Sequence, residues 1–299
     1  MKNILEYYYN VYPDMIYENN NTYYFFINDV KYYFTEFNRD INDLNDLVEL
    51  TNKLYFKGIK IHTFIVNKDG KYYIEHDKVN YVLLRVNTVE NEEIDIYDIL
   101  KFNDLEHKKG SINLSKRWKD TVDSFEREVI ELNNDYPMLT SNFNYYVGLA
   151  ENAISYINDI ESNEYELCLS HKRIKLPLTC GMLYNPLNFI FDYKIRDISE
   201  YIKEIFFYSD FNEEEIFKII DTELSDYSLI DIKLLYGRLL FPTYYFDLFE
   251  RVLNKESDEK DLNRIVNLSK QYELFLKELY IALKSKYNIE PIEWIVNTK

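Results

Sequence analysis

The first 88 residues carry short runs of aromatic and β-branched residues separated by polar pairs. Thr22–Ile27 and the run 30–37 flank Asn28-Asp29, which predicts a β-hairpin with a two-residue turn. Between residues 40 and 57 the apolar residues instead recur every three or four positions, so this stretch is predicted to be a helix that ends at Gly58.

Three more strands are predicted before residue 88. The runs 61–66 and 71–74 flank Lys68-Asp69-Gly70, which predicts a second hairpin. The run 79–86 is apolar along most of its length, which favours a central strand. After Asn87 the chain turns acidic and polar, as expected of a hinge, so residues 1–88 are predicted to form a β-rich N-terminal lobe.

Residues 89–299 follow mainly a helical period. Pro242 is expected to kink or stop the helix predicted over residues 229–253. The runs 165–169 and 189–191 are the strand-like segments here. The whole pattern predicts an α+β protein with a β-rich N-terminal lobe and a mostly helical C-terminal lobe, with helices at 94–100, 114–132, 143–161, 197–208, 213–224, 229–253 and 258–287.

The chain is acidic, with 52 Asp and Glu against 35 Lys and Arg and a net charge of −17. Because phosphate neutralisation supplies most nucleic-acid affinity, we expect no nucleic-acid partner. No apolar window is long enough for a membrane span or a signal peptide, which predicts a cytoplasmic protein without a membrane partner. Cys168 and Cys180 fit a reducing compartment, and Cys168, inside a predicted strand, is expected in the core.

Four blocks of the second half resemble a known family. They read NYYVGLAENAISYI, LCLSHKRI, FDYKIRDISEYI and LLYGRLLFPTYYFD, and they lie between residues 144 and 247. These blocks resemble the YutH branch of the CotS-type bacterial spore-coat proteins, which have the aminoglycoside-phosphotransferase or choline-kinase-like fold. The resemblance implies a two-lobed protein-kinase-like fold, expression in the mother cell, a place in the spore coat and other coat proteins as partners. It does not imply a reaction.

The kinase-like frame locates a catalytic loop whose chemistry is degenerate. Small-molecule kinases of this fold use an H-x-D…N loop and a metal-binding Asp to position phosphates and magnesium. His171 matches the histidine, but Arg173 stands at the catalytic Asp and Leu178 at the Asn. An arginine cannot accept a proton at neutral pH, and a leucine cannot coordinate magnesium.

The acids and arginines beyond this loop have predicted structural roles. Asp192 is the remaining candidate for a catalytic or metal-binding acid. Asp197 is predicted to be the N-cap of the following helix and, as in kinase-like lobes, to brace the catalytic loop. Arg196 is expected to pair with a neighbouring acid, Arg173 with Asp192 or Asp197, and Arg238 with an acid because it lies among apolar residues. The four scattered histidines and the absence of CxxC indicate no metal site.

The nucleotide-binding elements of the first lobe also depart from the kinase pattern. The phosphate loop would fall within residues 17–28, yet no glycine precedes Gly58. Thr35 and Glu36 stand about where a nucleotide-binding lysine would lie. We expect Lys31 to be an exposed residue at a strand start, and Glu49 to be solvated.

These replacements favour a non-catalytic pseudokinase of the spore coat that acts through protein contacts and has no cofactor. The 30 tyrosines also support this hypothesis, because tyrosine is enriched at interfaces. One alternative is a divergent small-molecule kinase that uses Mg-ATP and Asp192, with an acidic cleft for a cationic substrate. Another is a sensor that binds a nucleotide or small ligand without turnover.

Overall fold

The structure is a computed structural model that describes residues 1–19, 22–132, 135–158, 160 and 165–298. In chain order its helices and strands are α1 Lys2–Tyr9, β1 Tyr17–Asn19, β2 Thr22–Ile27, β3 Val30–Glu36, α2 Asn42–Phe56, β4 Thr63–Phe64, β5 Tyr73–His76, β6 Val79–Arg85, α3 Ile96–Asn103, β7 His107–Gly110, α4 Leu114–Glu131, α5 Pro137–Ile157, β8 Tyr165–His171, α6 Cys180–Leu183, β9 Phe189–Asp192, α7 Arg196–Tyr208, α8 Glu213–Glu223, α9 Leu229–Leu240, α10 Thr243–Leu253, α11 Leu262–Tyr287 and α12 Glu293–Val296.

The chain divides into two compact units. The β-unit comprises residues 1–95 and 177–189, and the helical unit comprises residues 96–176 and 190–299. The α+β class, with a β-rich first part and a mostly helical second part, is therefore confirmed. The lobe boundary at residue 88 stays a prediction.

The β-unit is built on an antiparallel sheet with the strand order β1-β2-β3-β6-β4. The predicted first hairpin is present as β2 and β3. Asn28 and Asp29 have φ angles of 47° and 62°, the left-handed backbone that a two-residue hairpin turn requires.

The second predicted hairpin was wrong. β4 and β5 each pair with β6, and β5 joins β6 through Asp77-Lys78, whose φ angles are 51° and 66°. Lys68-Asp69-Gly70 instead belongs to a local loop, in which the Asn67 side chain accepts from the amides of Asp69 and Lys71 at 2.9 Å. Gly70 dominated the sequence pattern, whereas the hairpin turn uses Asp77-Lys78, and lysine is not typical of left-handed backbone.

Side chains alternate between the two faces of the strands, and the apolar ones on one face form the core of the β-unit. Phe34 is buried on one face of β3, whereas Lys31, Tyr33 and Thr35 line a small cavity on the other face. The ring of Tyr9, from α1, lies 6.3 Å from that of Phe34, centroid to centroid. The buried residues of this core are Leu5, Tyr9, Phe25, Phe34, Ile74, Tyr81 and Leu83.

Aromatic side chains fill the interior of the helical unit. The rings of Tyr146 and Tyr245 stack at 3.9 Å, as do those of Phe207 and Tyr244. Within the described ranges, no helix combines the length and apolar character needed to cross a membrane.

Two predicted helices have different limits in the structure. The predicted helix 229–253 is divided by Pro242 into α9 and α10, because proline cannot continue the hydrogen-bonding pattern. The predicted helix 143–161 starts earlier, at Pro137, and is helical to Ile157. Positions 159 and 161 lie outside the described residues.

Strand β7 was not predicted. Its sequence, HKKG, is basic, and its three side chains are exposed, so no apolar alternation marks it. It pairs antiparallel with β8, and β9 lies on the other side of β8. Cys168, in β8, is buried as predicted. This small sheet places His171 at the end of β8 and Asp192 at the end of β9.

Candidate functional site

Asp197 braces the end of β8. Its carboxylate is fully buried and accepts from the backbone amide of His171 at 2.9 Å. Its other oxygen lies 2.7 Å from His171 Nδ1 and accepts from Asn103 Nδ2 at 2.8 Å. The start of the degenerate loop is therefore fixed by a buried carboxylate, the role expected for Asp197.

The N-cap assignment for Asp197 was wrong. Helix α7 begins at Arg196, and its N-cap is Ile195, which makes no side-chain cap. Asp197 lies one residue inside the helix. Its carboxylate binds His171 and Asn103 rather than amides of its own helix, because the adjacent end of β8 presents buried donors that need an acceptor.

Asp192 is held by two arginines. It is 1% exposed, it lies 3.1 Å from Arg196 Nη1, and it is also hydrogen-bonded to Arg238. Arg196 extends this network by donating from Nε to the His171 carbonyl at 2.9 Å and from Nη2 to the Lys172 carbonyl at 3.0 Å. The predicted pairing of Arg196 and Arg238 with acids is confirmed.

Arg173, at the predicted position of the catalytic Asp, pairs with Asp247 of α10. Glu250, one helical turn further on, lies 3.9 Å from the same guanidinium. The prediction of an acidic partner was right, but the predicted partner, Asp192 or Asp197, was wrong. Asp192 and Asp197 are instead hydrogen-bonded to other groups. The sequence did not show that α10 lies beside Arg173.

Lys203 organises a second buried network that the sequence pattern did not predict. Its ammonium, 3% exposed, donates to Glu200 Oε1 at 2.9 Å, to Thr243 Oγ1 at 2.6 Å and to the Arg238 carbonyl at 3.1 Å. Burial raises the pKa of Glu200, but the cations Lys203 and Arg196 outweigh it and lower the pKa to about 2. The sequence contained one indication of this network, because Lys203 lies on the apolar face of the helix predicted over residues 197–208.

In the β-unit, Lys31 is paired rather than exposed. Its Nζ lies 2.6 Å from Glu90 Oε2 and 2.8 Å from the hydroxyl of Tyr33, which is itself hydrogen-bonded to Glu90. Burial and the Glu90 carboxylate raise the pKa of Tyr33 to about 12. Thr35, a predicted lysine position, lines the same cavity of about 300 Å³. The description of Lys31 as an exposed strand-end residue was wrong.

The segment that follows β6 is hydrogen-bonded to the segment that carries Leu178. Ile94 N donates to the Leu178 carbonyl at 3.1 Å, Cys180 N to the Glu92 carbonyl at 2.9 Å and Gly181 N to the Glu90 carbonyl at 3.0 Å. A Cβ on Gly181 would lie 3.1 Å from Glu90, so glycine permits this close approach. Leu178 is buried, and its carbonyl takes part in this pairing.

Two further predictions concern Glu49 and the phosphate loop within residues 17–28. Glu49 is exposed on α2, as expected. Positions 20 and 21 of the proposed phosphate loop lie outside the described residues. Throughout the part of the chain that the structure describes, no group of three or more His, Cys, Asp or Glu side chains could hold a metal ion.

The helical unit contains a cavity of about 700 Å³, which we call the helical-unit cavity. It is lined by the loop 172–176 and by residues of α4, α7, α9 and α10. Asp192, Arg196, Lys203 and Arg238 form part of its wall. The degenerate loop and the two buried ionic networks therefore line the same cavity.

Residues 2–279 match the family described as "Spore coat putative kinase YutH". The chain belongs to this YutH family. It is 26% identical to the endospore coat-associated protein YutH of Bacillus subtilis, with 79% of each chain covered. The resemblance to the YutH branch, predicted from four sequence blocks, is thus confirmed.

Solved structures place this YutH-family chain among kinase-like folds. An aminoglycoside phosphotransferase from Alicyclobacillus acidocaldarius is similar with a TM-score of 0.60 and 10% identity, over 92% of this chain and 93% of the other. A microcompartment-associated aminopropanol kinase is similar with a TM-score of 0.57 and 12% identity, over 94% and 96% of the two chains. The aminoglycoside-phosphotransferase-like fold is confirmed, and identities this low show the fold alone.

Proposed function

We propose that this YutH-family chain is a non-catalytic kinase-like protein of the spore coat, which acts in coat assembly through contacts with other coat proteins. The observation that carries the proposal is the engagement of its would-be catalytic residues in ion pairs. Arg173 holds Asp247, and Asp192 is held by Arg196 and Arg238.

Asp192 in this state is a poor ligand for magnesium. A carboxylate that coordinates magnesium must offer its oxygens to a hard cation, and two guanidinium groups already occupy those of Asp192. Leu178 supplies no second ligand, and Arg173 supplies no base. The residues present therefore do not fit Mg-ATP, and we derive no transfer step through it.

The β-unit supports the same proposal. Lys31 is engaged by Glu90 and Tyr33, and backbone groups of residues 90–94 are paired with residues 178–181. A nucleotide that bound to these groups would first have to displace contacts within the protein. That displacement lowers the net gain in binding free energy.

Localisation rests on the family and on the relative's name. A protein from the same family is named as associated with the endospore coat of Bacillus subtilis. We infer synthesis in the cytoplasm of the mother cell followed by incorporation into the coat. A net charge of −17 disfavours nucleic acid as a partner.

A thermal-shift assay with Mg-ATP, Mg-ADP and ATP plus EDTA tests the non-catalytic part. A ligand at 100 times its dissociation constant would stabilise the protein by about 2.7 kcal/mol, which raises the Tm by a few degrees. We expect no shift at millimolar nucleotide. A magnesium-dependent shift would contradict the proposal.

Fractionation of sporulating cells tests the coat part separately. A tagged chain is produced in a Bacillus subtilis strain that lacks its own YutH, and purified spores are compared with the mother-cell lysate. We expect the tagged chain in the extracted coat fraction, together with cross-linked coat proteins. Recovery from the lysate only would refute the coat assignment and leave the nucleotide result unaffected.

The alternative is a divergent small-molecule kinase, and the description of the matched family as a "Spore coat putative kinase" favours it. This alternative requires turnover of ATP with a hydroxylated or amine substrate, and Asp192→Ala would abolish that turnover. Nucleotide binding without turnover would instead indicate the sensor function.

A further inference from the structure

The lining of the helical-unit cavity differs in charge from the rest of the chain. Eight Lys and Arg residues and six Asp and Glu residues line it, whereas the whole chain has 35 basic and 52 acidic residues. A cavity in this fold that bound a cationic substrate would need the opposite balance. The basic lining points to an anionic ligand.

Most of the acids in this cavity already have a cationic partner. Asp192 is paired with Arg196 and Arg238, and Glu200 with Lys203. Asp247 and Glu250 both pair with Arg173. These pairs neutralise each other locally, so they leave little charge to attract a ligand. The net field in the cavity comes from the remaining side chains.

Four lining cations have no ion pair among the described residues: Arg117, Lys172, Lys175 and Arg251. The unpaired acids of the lining are Glu204 and Glu256. Burial raises the pKa of Glu204, because desolvation disfavours its charged form. Unpaired positive charge therefore outweighs unpaired negative charge in this cavity.

Arg238 provides a second and independent observation. It lies in the cavity wall, its side chain is 3% exposed, and its Nε has no hydrogen-bond partner in the described structure. A buried donor without a partner is unusual and destabilising. A ligand oxygen bound at this part of the cavity wall would supply an acceptor for the guanidinium, once a small shift of the side chain exposes Nε.

We propose that the helical-unit cavity binds a small phosphate monoester. Guanidinium groups bind phosphate oxygens through paired, charge-assisted hydrogen bonds, and lysines add compact positive charge. A volume of about 700 Å³ is of the size that small-molecule sites have, and it exceeds what a phosphate group alone would fill. The proposal concerns ligand binding in the helical unit and does not depend on the coat assignment.

Calorimetric titration with glucose 6-phosphate, inorganic phosphate and glucose at constant ionic strength tests this site. Each ligand is added to the full chain and to Lys172→Gln/Lys175→Gln, which removes two exposed, unpaired lysines and leaves both buried networks intact. The control is Lys60→Gln/Lys270→Gln, which removes the same charge from exposed positions that do not line the cavity.

We expect saturable binding of glucose 6-phosphate, a loss of affinity of about tenfold or more in the cavity variant, and unchanged affinity in the control. Inorganic phosphate should compete with the ester, and glucose should not bind. Equal affinity in both variants would place the anion elsewhere and overturn the proposal. No saturable binding of either phosphate at millimolar concentration would also overturn it.

Discussion

Asp192 and Asp197 lie five residues apart and are both buried, yet they stabilise different parts of the helical unit. Asp197 accepts hydrogen bonds from His171 and Asn103, whereas Asp192 forms ion pairs with two arginines. The sequence indicated that acids and arginines would pair here, because charges are rarely buried alone. It did not indicate which partners, since Arg238 is 46 residues away from Asp192.

Replacement of Asp197 tests whether its carboxylate stabilises the end of β8. Asp197→Ala would leave the His171 amide and the Asn103 side chain as buried donors without this acceptor, so we expect the free energy of unfolding to fall by about 3–5 kcal/mol. Urea denaturation measures the loss. The exposed control Asp210→Ala should change the free energy by less than about 0.5 kcal/mol. A loss below about 1 kcal/mol in Asp197→Ala would contradict the role of the brace.

His62 predicts a dependence of stability on pH. Its side chain is buried, its Nδ1 has no partner among the described residues, and burial lowers its pKa to about 4 from an ordinary 6.5. Between these values the unfolded chain binds a proton that the folded protein excludes. The free energy of unfolding should therefore fall as pH decreases from about 6.5 to 4, by up to about 3 kcal/mol.

Urea denaturation at several pH values isolates this contribution. His62→Phe lacks the titrating group, so its stability should fall less than that of the parent over the same pH range. His107→Gln removes an exposed histidine and should retain the parental dependence. Parallel curves for His62→Phe and the parent would refute the contribution of His62.

At the scale of elements, local patterns predicted most of the helices and one of the hairpins. The β2–β3 hairpin follows directly from Asn28-Asp29, because both residues tolerate the left-handed backbone of its turn. The β5–β6 hairpin turns at Asp77-Lys78, where lysine gave no such signal. β7 was also hidden, because its exposed basic side chains show no alternation and its place depends on pairing with β8.

Close packing between α5 and α9 depends on Gly237. A Cβ at this position would overlap Ile157 Cγ2. Although alanine favours a helix over glycine by about 1 kcal/mol, we expect Gly237→Ala to destabilise the protein by about 1–3 kcal/mol, because the two helices cannot separate without losing buried contacts. Thermal or urea denaturation measures the effect.

A double-mutant cycle assigns this effect to the contact. Ile157→Ala leaves a cavity, which the methyl group introduced by Gly237→Ala would partly fill. The double variant Gly237→Ala/Ile157→Ala should therefore be more stable than the sum of the two single changes predicts. An additive result would indicate that Gly237 acts through backbone freedom alone.

For the whole molecule, the excess of acidic residues dominates the electrostatics. The 52 acidic and 35 basic residues give a net charge of −17, so the folded chain repels itself at neutral pH. Because salt screens exposed charges within about 10 Å at 0.1 M, we expect the Tm to rise by a few degrees between about 20 and 200 mM sodium chloride. An equal concentration of sorbitol should have a smaller effect. A falling Tm would show that attractive ion pairs outweigh the repulsion.

By itself, the sequence determined the α+β class, the positions of most elements and the family, because periodicity and local motifs are properties of neighbouring residues. It also predicted that Arg173 and Leu178 stand in place of the catalytic Asp and Asn. The tertiary structure decided which charges meet: Arg173 with Asp247, Lys31 with Glu90 and Arg238 with Asp192. These partners are distant in sequence and are brought together only when the apolar faces of the helices and strands are buried, so no local pattern encodes them.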